Sequence, residues 1–138
     1  MTDKEVGTRR ILIVDDEEDL RDHLLDYFSD LGFETTGAEN GAEAWKLLNE
    51  KSFDLVLTDI MMPEGDGIWL LDQIRARNPE EPAVILMSGY AKISVAEAYE
   101  KGAEAFFPKP FKAKSLLSAV ENVFLPKFER WRKKGMER

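Results

Sequence analysis

Hydrophobic residues alternate along the chain between short unbroken runs and helically spaced positions. The runs ILIV at 11–14, FDLVLT at 53–58 and AVILM at 83–87 predict buried strands. Shorter strands are predicted at 33–38 and 105–107. Because the three long runs are apolar almost without interruption, they are typical of strands covered on both faces of a sheet.

Each of these strands is followed by a segment whose apolar residues recur every three or four positions, as in an amphipathic helix. Asn40 followed by Glu43 resembles a capping box that opens the second helix, and Gly32 and Gly102 end the first and fourth. Five strands alternating with five helices indicate an α/β fold with a parallel sheet and helices on both faces. The helices are predicted at 20–31, after Asn40, and at 68–77, 93–101 and 112–124.

Length and composition bound the class of protein. With 138 residues the chain suits one domain, which we place at 9–125, between an N-terminal extension at 1–8 and a basic tail or linker helix at 126–138. No cysteine is present, which excludes disulfides and thiolate chemistry. The longest apolar runs have four or five residues and the N-terminus has no secretory apolar region, so we expect a cytoplasmic protein without membrane contact.

Charge is distributed unevenly. The net charge is −8, yet residues 127–138 carry six basic and two acidic side chains, a net +4, which leaves −12 on residues 1–126. A body that acidic repels phosphate backbones, so no nucleic acid binding is expected of it. In the tail, Phe128 and Trp131 would share one helix face, which either packs on the body, belongs to a linker, or contacts a partner.

Polar residues follow the predicted strands at the point where each ends. Asp15 and Asp16 follow the first, Asp59 the third, Ser88 the fourth, and Lys109 the fifth. In an open α/β sheet the carboxyl ends of the strands form the binding edge, so these side chains should converge. Each one alone is explained by a helix cap, a turn or a solvated side chain, but three neighbouring carboxylates would repel one another unless a cation lay between them.

The composition of this edge indicates its chemistry. An acidic cluster without His or Cys suits a hard cation, Mg²⁺ first and Mn²⁺ next. A carboxylate, a divalent cation, a lysine and a hydroxyl together suit phosphoryl transfer. The carboxylate would attack phosphorus to give an acyl phosphate, while the cations neutralise the equatorial oxygens.

Four segments at these strand ends resemble a known family. They are ILIVDDE, LVLTDIMMPEGDG, VILMSGYA and FFPKPF, in that order along the chain. The sequence resembles a response regulator receiver domain, the phospho-acceptor half of two-component signalling, over residues 8–125. The resemblance implies a flavodoxin-like, doubly wound five-stranded parallel sheet with strand order 2-1-3-4-5.

The resemblance assigns a phosphorylation site and a metal site. Asp59 would be the residue that is phosphorylated. Asp16, Asp59 and the backbone carbonyl of Met61 would hold Mg²⁺ directly, and Asp15 would act mostly through a bound water. The protein would catalyse only its own phosphorylation and dephosphorylation, so no turnover of an external substrate is expected.

The resemblance also implies a switch. Ser88 would move toward the phosphoryl group, Lys109 would pair with one of its oxygens, and Lys109–Pro110 would be a cis peptide. Phe106 would turn inward as Ser88 moves, and it stands where the family often has tyrosine, so it signals by packing alone. The surface that changes would be the fourth helix, fifth strand and fifth helix, at about 91–125.

The implied partners are a sensor histidine kinase or a histidine phosphotransfer protein, and on the output side a downstream target, a second copy of the chain or a fused output domain. The kinase would dock on the first helix, where His23, Leu24 and Tyr27 are candidate contacts. Met61 and Tyr90 lie two residues after Asp59 and Ser88, where bulky side chains should hinder the attacking water and lengthen the life of the phospho-form.

Three competing classes fit less well. A flavodoxin-like FMN carrier would need a loop rich in Ser, Thr and Gly after the first strand, whereas this chain has DDEED. A Mg²⁺-dependent aspartyl-phosphate phosphatase would usually carry an acid two residues after its nucleophile, where Met61 stands. A receiver that works without phosphorylation would have lost Asp59, Lys109 or the acidic pair, and all are present.

Overall fold

A computed structural model of the chain describes residues 8–89 and 93–125. Its centre is one five-stranded sheet in the order β2-β1-β3-β4-β5, in which all four neighbouring pairs are parallel. The predicted doubly wound order is therefore confirmed. The strands are β1 (Arg10–Val14), β2 (Glu34–Ala38), β3 (Leu55–Asp59), β4 (Ala83–Ser88) and β5 (Ala105–Pro108).

Helices cover both faces of this sheet because successive strand residues point to opposite sides. In β1, Leu12 and Val14 face one core, which α2, α3 and α4 complete. Ile11 and Ile13 face the other core, under α1 and α5. The helices are α1 (Glu18–Asp30), α2 (Gly41–Glu50), α3 (Gly67–Arg77), α4 (Val95–Glu100) and α5 (Ala113–Val123).

Side chains cap the starts of α2, α3 and α4. Asn40 caps α2, as predicted, by accepting a hydrogen bond from the backbone N–H of Glu43 at 2.7 Å. The returning bond differs from a capping box, because the Glu43 carboxylate accepts from the backbone of Glu39. A full capping box lies instead at α4, where Ser94 and Glu97 bond each other's backbone N–H groups. That box places the start of α4 at Val95, two residues later than predicted.

Some predictions fall on segments outside the described residues. These are the extension at 1–7, Tyr90, and the tail at 126–138 with Phe128 and Trp131. Within residues 8–89 and 93–125, none of the helices combines the length and apolar character needed to cross a membrane.

Candidate functional site

The carboxyl ends of four strands bring the predicted polar residues to one edge of the sheet. Asp15 directly follows β1, Asp59 is the last residue of β3, Ser88 is the last residue of β4, and Lys109 directly follows β5. The register fixes these neighbours, since Asp59 pairs with Met87, the residue before Ser88. The edge predicted from the ends of the apolar runs is therefore present in the fold.

Lys109 forms the centre of this site. Its Nζ lies 2.8 Å from Glu17 Oε1, 2.9 Å from Asp15 Oδ2 and 3.3 Å from Asp59 Oδ2. The backbone N–H of Lys109 donates to the carbonyl of Ser88 at 2.8 Å, which ties β5 to β4 at this point. The Lys109–Pro110 peptide is cis, as predicted. One ammonium group thus contacts carboxylates that come from two different strands.

Asp59 is a buried carboxyl group with an altered protonation equilibrium. Burial, and next the negative charge of Asp15, raise the pKa of Asp59 from 3.8 to about 6, against the opposing effect of Lys109. Its Oδ1 accepts a hydrogen bond from the backbone N–H of Ile60 at 2.8 Å. This bond orients the carboxylate at the end of β3.

Asp15 is completely buried and held by the backbone around it. Its Oδ1 accepts from the backbone N–H of Glu17 at 2.9 Å, and its carbonyl accepts from the Arg21 guanidinium at 2.7 Å.

Burial of Lys109 lowers its pKa, but hydrogen bonds to Glu17 and Asp15 and the charges of Asp15 and Asp59 outweigh that effect and raise it. The lysine therefore stays charged at neutral pH.

Three carboxylates of this site are close enough to share a cation. One oxygen from each of Asp15, Glu17 and Asp59 lies within 4.8 Å of the other two. An all-oxygen, carboxylate-rich group of this kind is consistent with a Mg²⁺ site. Asp16 is exposed and is not part of this group, and Met61 is 43% exposed at the start of the loop after β3.

Glu17 is the residue that the sequence did not single out. Its only local signal is its place as the third acid in the run that begins at Asp15. Its contact with Lys109 joins positions 92 residues apart, so only the fold could reveal it.

The two predicted switch residues lie on neighbouring strands. Ser88 is almost completely buried at the end of β4. Phe106 in β5 pairs with Leu86 in β4, and its ring is partly buried against the core formed with α2, α3 and α4. The register thus places Ser88 and Phe106 on adjacent strands, two positions apart along the strand pair.

The surface of α1 next to the site corrects one predicted partner contact. Leu24 is completely buried in the core under α1 and α5, so the prediction that it contacts a partner is wrong. His23 is exposed and Tyr27 is partly buried, with ring centroids 6.3 Å apart. A groove of about 450 Å³ next to the site is lined by Glu17, Leu20, Lys109, Pro110 and Phe111.

Known proteins resemble this chain over most of its length. The response regulator receiver domain family matches residues 11–121. The regulatory protein AtoC of Escherichia coli strain K12 is 45% identical over 115 residues, which cover 83% of this chain and 25% of AtoC, so the chain spans about a quarter of that relative. The chemotaxis protein CheY of Listeria monocytogenes is 39% identical over 115 residues, which cover 83% of this chain and 97% of CheY.

Solved structures agree with the sequence matches. The response regulator TrrA of Thermotoga maritima, in complex with Mg²⁺-BeF, superposes with a TM-score of 0.76 at 31% identity, covering 85% of this chain and 100% of TrrA. The family match and the almost complete alignment with CheY show that this chain belongs to the response regulator receiver domains of two-component signalling.

Proposed function

We propose that Asp59 accepts a phosphoryl group from a phosphohistidine of a sensor histidine kinase or a histidine phosphotransfer protein. The observation that carries this proposal is the buried Asp59 carboxylate, 3.3 Å from the Lys109 ammonium, at the carboxyl edge of the sheet. An Asp59 oxygen attacks phosphorus, the P–N bond of the phosphohistidine breaks, and the imidazole nitrogen leaves with its electron pair and takes up a proton. The product is an acyl phosphate.

The residues around Asp59 have separate tasks in this step. Lys109 neutralises one phosphoryl oxygen, and the Ser88 hydroxyl donates a hydrogen bond to another. The backbone N–H of Ile60 keeps the Asp59 carboxylate oriented through its 2.8 Å bond. With a pKa of about 6, Asp59 is ionised at neutral pH, as a nucleophile must be.

The acidic residues fit a divalent cation, and we assign Mg²⁺, with Mn²⁺ as the alternative. Asp16, Asp59 and the backbone carbonyl of Met61 would hold it directly, with Asp15 acting through a water. When bound, the ion neutralises charge on the transferring phosphoryl group. The all-oxygen composition of the acidic group and the Mg²⁺-BeF complex of TrrA support a divalent cation at this edge, and the resemblance to the family supplies the ligand set.

The phosphoryl donor reaches Asp59 along α1. The groove between α1 and the loop after β5 is lined by Lys109 itself, so it leads to the acceptor site. His23 and Tyr27 on the outer part of α1 supply further contact.

We place this reaction in the cytoplasm. The phosphoryl group ends on the protein and leaves by hydrolysis, in which water attacks phosphorus to release phosphate and regenerate the Asp59 carboxylate.

Phosphorylation changes the surface formed by α4, β5 and α5. The phosphoryl group favours the arrangement in which Ser88 and Phe106 are drawn inward, and it shifts the equilibrium only by its differential interaction with the two arrangements. The positions of Ser88 and Phe106 on neighbouring strands support this coupling. That surface signals to a downstream target, a second copy or a fused output domain. AtoC, about four times as long as its aligned part, supports the fused output domain.

Intact mass spectrometry tests the acceptor role. The wild type and Asp59→Asn are incubated with acetyl phosphate, a small phosphoryl donor, with and without Mg²⁺. We expect a single Mg²⁺-dependent phosphoryl adduct on the wild type and none on Asp59→Asn. An equal adduct on Asp59→Asn would contradict the assignment of the acceptor. Absence of an adduct together with absence of beryllofluoride binding would leave a receiver fold that acts as a binding module.

A further inference from the structure

The Lys109 ammonium has three N–H donors and three carboxylate partners. Asp15, Glu17 and Asp59 all lie within 3.3 Å of its Nζ. The side chain is only 14% exposed, so it has little access to water. A phosphoryl oxygen on Asp59 can therefore bond to this ammonium only if one of the present partners releases it.

The three partners differ in the free energy that breaking their bond to Lys109 would cost. Asp15 is completely buried, and an unpaired charge there would be strongly unfavourable. Asp59 carries the phosphoryl group, so the N–H that Asp59 Oδ2 now accepts passes to that group, and any further phosphoryl bond to the ammonium needs an N–H from Asp15 or Glu17. The Glu17 side chain is 63% exposed, so water solvates its carboxylate as soon as the bond to Lys109 breaks. Glu17 is the partner that yields.

We propose that Glu17 is a positioning residue that competes with the phosphoryl group for Lys109 and thereby weakens the affinity of the acceptor site for that group. This inference rests on the proposed function, because it concerns the same lysine. It assigns Glu17 the role of counter-ion to Lys109 rather than metal ligand. The phospho-form is therefore less stable than it would be in the same pocket without Glu17.

The size of the effect follows from the exposure of Glu17. An exposed ion pair contributes little, so its removal should change an equilibrium constant by about twofold to fivefold. Truncation should leave the fold intact, because within the described chain the Glu17 side chain makes no capping bond at the start of α1. This turn is ordered by the hydrogen bond that the backbone N–H of Glu17 donates to Asp15, and Glu17→Ala keeps that N–H.

Beryllofluoride binding to the full chain tests the proposal, since this anion occupies the place of a phosphoryl group on a carboxylate. Titration calorimetry in excess Mg²⁺ would compare the wild type, Glu17→Ala and Glu18→Ala. Glu18 is the matched control: it is the next acid in the sequence and is exposed, but it is not among the three partners of Lys109. We expect Glu17→Ala to bind beryllofluoride about twofold to fivefold more tightly than both of the others.

A second titration with Mg²⁺ alone separates the two roles of an acid at this position. We expect Glu17→Ala and Glu18→Ala to have the same Mg²⁺ affinity. A loss of tenfold or more confined to Glu17→Ala would make Glu17 a metal ligand and overturn the proposal.

The other outcomes are also decisive. Unchanged or weaker beryllofluoride binding by Glu17→Ala would overturn the proposal, and so would an equal gain in Glu18→Ala, which would show a general effect of charge. Either result, with wild-type binding intact, leaves the proposed function standing. Failure of the wild type itself to bind beryllofluoride would overturn this inference, and together with absence of the acetyl phosphate adduct it would overturn the proposed function as well.

Discussion

A side chain on Gly67 would overlap the backbone carbonyl oxygen of Asp59. Gly67 is the first residue of α3, and its N–H donates to the carbonyl of Ile60 at 2.9 Å. The loop after β3 therefore returns directly against the backbone of Asp59. The start of α3 and the position of Asp59 are set by the same close contact.

Gly67→Ala should disturb both stability and phosphorylation. The added Cβ meets backbone atoms of Asp59 and Ile60, which cannot swing aside as a side chain can. We expect a loss of about 1–3 kcal/mol in the free energy of unfolding, measured by urea denaturation, and slower phosphorylation by acetyl phosphate. Gly89→Ala is the control for stability, because a Cβ added at Gly89 would lie 3.7 Å from its nearest neighbour, Lys109 Cβ, which is an ordinary contact distance. Equal stability of the two variants would contradict the steric argument.

The raised pKa of Asp59 predicts a pH-dependent stability in metal-free buffer. The carboxyl group binds its proton more tightly in the folded protein, with a pKa of about 6, than at the ordinary value of 3.8. The stability that this proton contributes is fully present below pH 3.8 and is lost as the pH rises through 6. Asp59→Asn removes this loss, so at pH 7.5 it should be more stable than the wild type by about 1–3 kcal/mol.

The same comparison at lower pH is the check on that prediction. The advantage of Asp59→Asn should shrink as the pH falls from 7.5 toward 4, where both proteins carry a neutral group at position 59. Urea unfolding of the two proteins at several pH values measures it. A constant difference over this range would show that the titration of Asp59 is not its cause.

Met61 and Tyr90 should control the lifetime of the phospho-form. Met61 is 43% exposed, so its truncation should not disturb the core. Replacing both residues with Ala opens the way for the attacking water, and we expect dephosphorylation to become several-fold faster. The decay of the intact-mass adduct measures this rate. Met61→Leu keeps an apolar bulk and should decay like the wild type, while an unchanged rate in the double Ala variant would refute the explanation.

Arg75 should stabilise the fold by linking α3 to the turn before β5. Its Nε donates to the carbonyl of Gly102 at 3.0 Å, and its side chain lies directly against Gly102. Arg75→Met removes this charged hydrogen bond, and we expect a loss of about 1–2 kcal/mol in the free energy of unfolding. Lys101→Met is the control: it breaks an exposed pair with Asp72 at 3.4 Å and should change the stability by less than about 0.5 kcal/mol. Equal losses would show that the Gly102 contact has no special weight.

The sequence predicted the sheet and the edge that carries the site because both depend on local patterns. An unbroken apolar run indicates a strand covered on both faces, and a helix between two such runs requires them to be parallel. Parallel strands end at one edge, so Asp15, Asp59, Ser88 and Lys109 could be placed together from their positions after the runs. The strand order itself came from the resemblance to a family, and the pairing confirms it.

Only the tertiary structure decided the distances between residues that are remote in the chain and the exposure of each side chain. Spacing along α1 could not tell that Leu24 is completely buried, since the depth of a helix face depends on what packs over it. An acidic run likewise does not show which of its members contact a residue far away in the chain. In the fold, Asp15 and Glu17 reach Lys109, more than 90 residues away, while Asp16 stays exposed. Local periodicity determines which side of an element a residue occupies, but the packing of β1, α1 and β5 determines which charges meet.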